Sequence, residues 1–419
     1  MRNVLLGIVL MMSPVCHAQT GDSIYAYRKG SICSVMISHR DLAFAPDIEN
    51  AFKEMPIPDK YNDHNVGKQV FYTSDKKVEV ENLKNHAGFR VNASSNKEEM
   101  NNFDIFLQKQ QIASRLIAKW FHRSRTAGIC DMELVKERGY ANASEVDKRI
   151  ASLSTRKDAL LQDAGEELIG STFVLINDIR YIDRSAGSSV IGGVLSAATK
   201  VAKISKGKTN DLDKPDLGTL VASYKGFNVK IKTYLYQLVW DEEIASFFYN
   251  DIYTEQPDES KKEMFENNRG KFSLVYVGMQ ESSGKDISFI GINENDPQKM
   301  VLKACNRALD ENIANLQKNF DVFKIKAPLI GTEPLRCEIG KKEGVTEKSQ
   351  FEVLEIVEDE NGHIDYKRRG VIQPVKGKIW DNRFMAVEEG AEGATLGYTT
   401  FETVRGSGFY PGMLIRQMK

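Results

Sequence analysis

FNVKIKTYLYQLVW, Phe227 to Trp240, alternates Phe227, Val229, Ile231 and Leu235 with Asn228, Lys230, Lys232 and Tyr234. A period of two is the mark of a strand with two different faces. Upstream, STFVLINDIRYID (Ser171 to Asp183) reads as a second long strand, and a helix beginning at Thr155 stops before it at Gly170. Thr155 and Ser144 each stand three residues ahead of an aspartate, Asp158 and Asp147, which is a helix-start pattern in its Asp form. Glycine is a natural C-terminal stop. Downstream, Lys271–Gly278 and Ile287–Ile292 predict two shorter strands. Asp296-Pro297 then opens a helix with an apolar line through Leu302, Cys305, Leu309, Ile313, Leu316 and Phe320, followed by a strand from Asp321 to Ala327. This order predicts an α+β layer, with helices on one face of a mixed or antiparallel sheet.

Beyond this middle region the pattern changes. From about Cys337 to Lys419 helical periodicity disappears, and short strands (Phe351–Val357, Tyr366–Val375, Thr399–Val404, Met413–Arg416) alternate with turns at Asn361-Gly362, Gly406-Ser407-Gly408 and Pro411-Gly412. Short strands with frequent glycine turns predict a small, SH3-like β-barrel. Pro328 to Pro334, rich in proline and glycine, marks the boundary. On the N-terminal side, Ile24–Arg28 and Ser31–Ser38 read as strands and Pro46–Met55 as a short helix. Glu98–Arg123 reads as one long helix with Phe103, Phe106, Leu107, Leu116, Ile117 and Trp120 on its apolar stripe. The expected organisation is therefore a leader (1–18), an N-terminal α/β region (19–95), a central α+β domain (96–335) and the barrel (336–419).

The leader, MRNVLLGIVLMMSPVCHAQT, has Arg2 as a basic head, an apolar run from Val4 to Met12 and a breaker at Pro14. This is the pattern of a secretory signal peptide, cleaved after Ala18. Its apolar run falls short of the roughly 20 residues a spanning helix needs. Ser13, Pro14 and Val15 do not form a lipobox ahead of Cys16, so a soluble exported protein is expected rather than a lipoprotein. The 419 residues carry 57 Lys+Arg against 58 Asp+Glu, a formal net charge of −1, which gives no electrostatic footprint for nucleic acid. Cys33, Cys130, Cys305 and Cys337 remain after the leader. An oxidising compartment permits disulfides, with three pairings open. Cys33 in a strand-like run and Cys305 on a helical stripe also read as core residues.

An exported chain with an α+β middle, a late amphipathic helix ACNRALDENIANLQKNFDVFKI (Ala304 to Ile325) and a terminal small barrel resembles the curli-secretion channel and flagellar-collar family of envelope proteins. EMPIPDKYNDHNV (Glu54 to Val66), GEELIGSTFVLINDIRYID (Gly165 to Asp183), GVIQPVKGKIWDNR (Gly370 to Arg383) and GSGFYPGMLIR (Gly406 to Arg416) resemble a group of uncharacterised secreted proteins from Bacteroidetes. The first resemblance implies a non-enzymatic role in envelope assembly or transport. The second implies no activity.

No G-x-S-x-G, H-E-x-x-H, C-x-x-C, phosphate-loop or calcium-loop pattern occurs, so no catalytic residue and no cofactor is assigned. The densest set of metal-ligand types is Cys33, His39, Asp41, Asp59, Asp63 and His64. Of these, Cys33, His39, Asp63 and His64 are the candidate ligands, because zinc accepts sulfur, imidazole and carboxylate. The same Asp-His in a proline-rich loop also reads as turn chemistry. Cys130 with His122 is a nucleophile–base pair only in residue type, with no orienting third group. Ser188 to Lys208 places Val190, Ile191, Val194 and Leu195 on one helical face and Lys200 and Lys203 on a polar one, a pattern suited to a partner, a membrane surface or the chain's own sheet edge. In the barrel, Lys367, Arg368 and Arg369 form a basic run near the aromatic Trp380, Phe409 and Tyr410, and Asp22-Ser23-Ile24 resembles an O-glycosylation triplet. The expected function is an exported envelope protein with a binding or assembly role. Its expected partners are envelope proteins, a membrane surface or further copies of the chain, and not nucleic acid. The alternative is a periplasmic hydrolase using a metal at the N-terminal cluster.

Overall fold

The computed structural model describes residues 30–40, 42, 44–67, 69–72, 97–142, 165–181, 224–289, 297–358 and 364–418. The leader, the Asp22 triplet, the helix starts at Ser144 and Thr155 and the amphipathic segment 188–208 lie outside them.

Strand β1 (Gly30–Ser38) runs parallel to β2 (Tyr61–Asp63) along its first half, to β3 (Gln69–Tyr72) along its second half, and to β4 (Thr172–Tyr181) on its other side. The antiparallel part of the sheet continues through β5 (Tyr224–Leu238) and β6 (Leu274–Phe289). The result is a mixed six-stranded sheet. Because β1 sits between β2/β3 and β4, the expected N-terminal region shares one sheet with the central region rather than standing apart. The two short strands expected at Lys271–Gly278 and Ile287–Ile292 are one strand, since the polar stretch between them keeps residue-for-residue pairing with β5.

Both faces of this sheet are covered, which corrects the expectation of helices on one face. Phe173, Leu175 and Ile179 of β4 join Ile32 and Met36 of β1 beneath α1 (Ala45–Glu54). The same core takes in Val301, Ala304, Cys305, Ala308 and Leu316 of a long helix, Pro297–Asn319. The alternate residues, Val174 and Ile176 with Cys33, Val35 and Ile37, face α2 (Lys97–Lys109), α3 (Ile112–Trp120) and α4 (Glu133–Asn142). The single helix expected over Glu98–Arg123 is α2 plus α3, broken where Gln111 takes a left-handed conformation with φ 52°. The apolar stripe survives the break, and Phe103, Phe106, Leu107, Leu116, Ile117 and Trp120 are all buried. Helices α5 (Glu242–Phe247) and α6 (Glu259–Asn267) begin at Asp241 and Asp258, whose side chains accept from the Ile244 and Lys261 amides, as N-caps do. In chain order the Pro297–Asn319 helix is α7.

Residues Asp321–Phe323 form a single 3-10 turn where a strand was expected. The strands β7 (Ala327–Thr332), β8 (Leu335–Cys337), β9 (Phe351–Glu358), β10 (Ile364–Pro374), β11 (Thr399–Gly406) and β12 (Leu414–Gln417) then form an antiparallel sheet in the order β10-β11-β8-β7-β12-β9, and β9 pairs back to β10. It has its own core, which includes Leu329, Cys337, Val353, Ile372, Phe401 and Ile415. The boundary expected at Pro328–Pro334 falls inside the β7–β8 hairpin, so this unit begins at Ala327.

Candidate functional site

In open sheets with parallel strands, side chains able to meet a ligand gather outside the carboxyl ends of those strands. Here β1 and β4 end side by side. Ile37 pairs with Asp178, and His39 follows as the chain leaves β1. The Asp178 carboxylate is 3% exposed; its Oδ1 lies 2.5 Å from His39 Nε2, and its Oδ2 takes Arg180 Nη2 at 2.5 Å. Arg180 Nε completes the fork at 3.0 and 3.1 Å. Burial works against ionisation of Asp178, but the hydrogen bonds from His39 and Arg180 outweigh it and hold the carboxyl below its ordinary range. On the other face, Ser38 Oγ donates to Glu49 of α1. A carboxylate-oriented imidazole with a neighbouring guanidinium can exchange a proton with a bound group or hold its anionic end. Sequence reading passed over Asp178 and Arg180. The available signal was an Asn-Asp pair closing an otherwise apolar strand.

The expected metal set Cys33, His39, Asp63 and His64 is dispersed. Cys33 lies in the core facing α2 and α3, and burial pushes its thiol up to about 11. His39 is six residues further along β1, on the order of 20 Å away in an extended strand, and is bound to Asp178. Asp63 is exposed and uses its carboxylate to accept from the Asn65 amide at 2.8 Å.

His64 is fully buried, and both of its ring nitrogens are engaged. Nε2 is 2.9 Å from the Leu116 carbonyl, which only accepts, and Nδ1 is 2.9 Å from Arg138 Nη1, which only donates. The ring is therefore neutral and protonated at Nε2. Burial and then the Arg138 charge hold its pKa well below the ordinary value. Arg138 also donates to Ser31 Oγ at 2.9 Å and lies 4.3 Å over Trp120, whose Nε1 donates to Thr172 Oγ1 at 2.8 Å. No lone pair of His64 is left for a metal.

Among the described residues, His122, Asp131 and Glu133 are the group whose ligand atoms converge, all within 4.8 Å of one another. His122 Nδ1 and Asp131 Oδ1 are 3.0 Å apart. His122 thus turns toward Asp131, while the Cys130 thiol is buried against the Gly128 carbonyl at 3.8 Å. Burial raises that thiol's pKa, which is the wrong direction for a nucleophile. Cys33, Cys130, Cys305 and Cys337 are all free and buried, in keeping with the core reading of Cys33 and Cys305.

On the C-terminal unit Arg368 and Arg369 of the basic run are ion-paired across the strands. Arg369 meets Glu355, Arg368 and Arg416 meet Glu352, and Tyr410 donates to Glu355 at 3.0 Å. Trp380 is structural, with Nε1 on the Ala394 carbonyl at 3.2 Å. The contact residues expected in the amphipathic segment, Val190, Ile191, Val194, Leu195, Lys200 and Lys203, lie outside the described residues. No family model matches the chain, and no curated protein matches it either.

Proposed function

We propose that this chain is an exported envelope protein that binds or assembles with other envelope components. In this reading the mixed sheet and its helices are the scaffold, and the C-terminal unit, taken as a small SH3-like barrel, is the interaction module. The supporting observation is the outer surface of that unit. From Glu402 to Gly406 every residue of β11 is exposed, Val404 at 47%. Beside it the Arg369–Glu355–Tyr410 chain adds paired charge and an aromatic ring 45% exposed. A closed sheet with its own core can present such a strip without losing stability, and mixed charged, apolar and aromatic surface suits recognition of an extended partner. Export rests on the leader. Crosslinking the tagged full chain in its native envelope tests the reading: it predicts a defined set of co-purifying envelope proteins, reduced in a Val404→Glu, Tyr410→Ala variant and compared with a Val190–Lys203 deletion. A mature N-terminus that is not Gln19, or the same background with all forms, would remove it.

A second reading, a metal-dependent hydrolase, is favoured by one observation, the convergence of His122, Asp131 and Glu133. Three such ligands with open positions toward solvent fit a zinc centre of the hydrolytic kind. Calorimetric titration with zinc should then show one site in the wild type and none in His122→Ala. Heat absent from both would leave the binding reading alone.

A further inference from the structure

Helix α7 touches the C-terminal unit through its charged flank. Glu389, in the loop that follows Asp381, binds both Lys303 and Arg307 of the helix. One turn on, Asp310 points into the 3-10 turn Lys341–Glu343 and the start of the same loop. The Phe384 amide reaches its carboxyl, but its Oδ2 is closed off from solvent and has no hydrogen-bond partner. The neighbouring Glu343 differs: its Oε2 accepts from the Gly340 amide at 2.7 Å and from Asn382 Nδ2 at 2.8 Å. Lys342 Nζ is spent on Asp59 at 3.4 Å, across the same junction. A cleft lined by apolar Ile325, Ile339 and Phe351 and by polar Gln317, Lys324 and Glu343 runs beside the contact.

We propose that the contact between α7 and the C-terminal unit is an acid-tightened latch whose sensing group is the Asp310 carboxyl. A shielded carboxylate oxygen without a donor is tolerated when the group is neutral and penalised when it is charged. Among the described residues, the charged groups that act on Asp310 come from several elements. Asp59 approaches from the α1–β2 turn, Lys342 and Glu343 from the 3-10 turn, and Arg383 from the loop that also carries Glu389; Arg307, one turn back on the helix, is held by Glu389. Burial pushes Asp310 up to about 7; Lys342 pulls it down, and Glu343 and Asp59 push it further up.

Undocked, Asp310 is an ordinary exposed aspartate and ionises near pH 4. Docked, it keeps its proton to about pH 7. Docking therefore takes up a proton between these limits, tightens as pH falls from 7 toward 4, and has no further dependence on this group above 7. Glu389, held below its ordinary range against burial by Lys303 and Arg307, stays ionised over the upper part of this window, so the latch loosens without losing its ion pairs.

Amide hydrogen exchange of the full chain at pH 5.5, 6.5 and 7.5, corrected for intrinsic exchange, tests the latch. Peptides spanning 340–345 and 381–391 should lose protection by up to about tenfold per unit as pH rises toward 7. Asp310→Asn, a permanently neutral isostere, should show protection that does not vary with pH and is at least that of the wild type at pH 5.5. Wild-type protection that is flat or rises with pH overturns the proposal, as does an unchanged pH dependence in Asp310→Asn. If that variant fails to fold, the carboxyl carbon-13 shift of Asp310 in the wild type decides. A midpoint near 7 supports the latch, and one near 4 removes it.

Discussion

Helix α7 meets two neighbours, and the two contacts are built from different material. Against the sheet it is pressed so closely that β6 has glycine where it passes: a Cβ on Gly284 would collide with the Ala304 carbonyl, and one on Gly278 with the Phe320 ring. Polar groups there are paired except Asn312 Oδ1, which has no partner and cannot ionise. Ser282 Oγ donates to the Ala308 carbonyl. Asn312 Nδ2 donates to the Ile231 carbonyl and to Thr233 Oγ1, each at 3.0 Å, and Thr233 in turn donates to Asn177. Against the C-terminal unit the same helix offers charged groups, Lys303, Arg307 and Asp310, and the oxygen left without a donor there belongs to a titratable carboxyl. Close apolar contact answers to volume and hardly to solution conditions. A charged junction answers to pH and salt. One helix can thus be fixed to its scaffold and adjustable toward its neighbour.

The largest effect is expected on the sheet side. Gly284→Ala must move the backbone of α7 or β6, because the obstacle is a main-chain carbonyl. A loss of about 3 kcal/mol is expected, read as a lower urea midpoint with an unchanged slope. Asn312→Ala leaves Thr233 short of a buried donor and should cost about 2 kcal/mol by the same measurement. His64 sharpens the contrast in sign. Its pKa is depressed in the folded chain, so the unfolded chain takes up the proton first. Its contribution is complete above pH 6.5 and is lost as pH falls below it, by at most about 1.4 kcal/mol per unit. In an Asp310→Asn background, which removes the opposing proton uptake at that carboxyl, acid should therefore lower global stability in urea titrations at pH 7.0, 6.0 and 5.0, whereas protection at the α7 junction of the wild type rises. The smallest effect belongs to Glu389→Gln, which removes two partly exposed ion pairs. Less than about 1 kcal/mol is expected at low salt, and the difference from wild type should shrink in 1 M NaCl.

Most elements that could be read locally were legible. The alternation of Phe227–Trp240, the apolar line of α7, the helix Pro46–Met55 and the four C-terminal strands from Phe351 to Arg416 depend on period and turn residues, which neighbouring positions carry by themselves. The break at Gln111 was not legible, because glutamine is an ordinary helix residue and the apolar stripe runs on through the break into one core. The metal set failed for a similar reason. Cys33, His39, Asp63 and His64 are close in sequence, but a strand sends alternate side chains to opposite faces and moves each residue about 3.3 Å further along. Asp178 reaches His39 across 139 positions of sequence, and no spacing rule records such a pair.

Local periodicity and side-chain polarity set the α+β character, the α7 stripe, the strand-rich C-terminal region and the burial of Cys33 and Cys305. The tertiary structure alone decided that helices cover both faces of the sheet, that β1 joins the N-terminal region to the central one, that His64 is locked neutral by Arg138, and that Asp310 faces the C-terminal unit without a donor for its second oxygen. Those are properties of pairs far apart in the chain. Their energies depend on burial and on which donor meets which acceptor, and both are set only once the strands have chosen their partners.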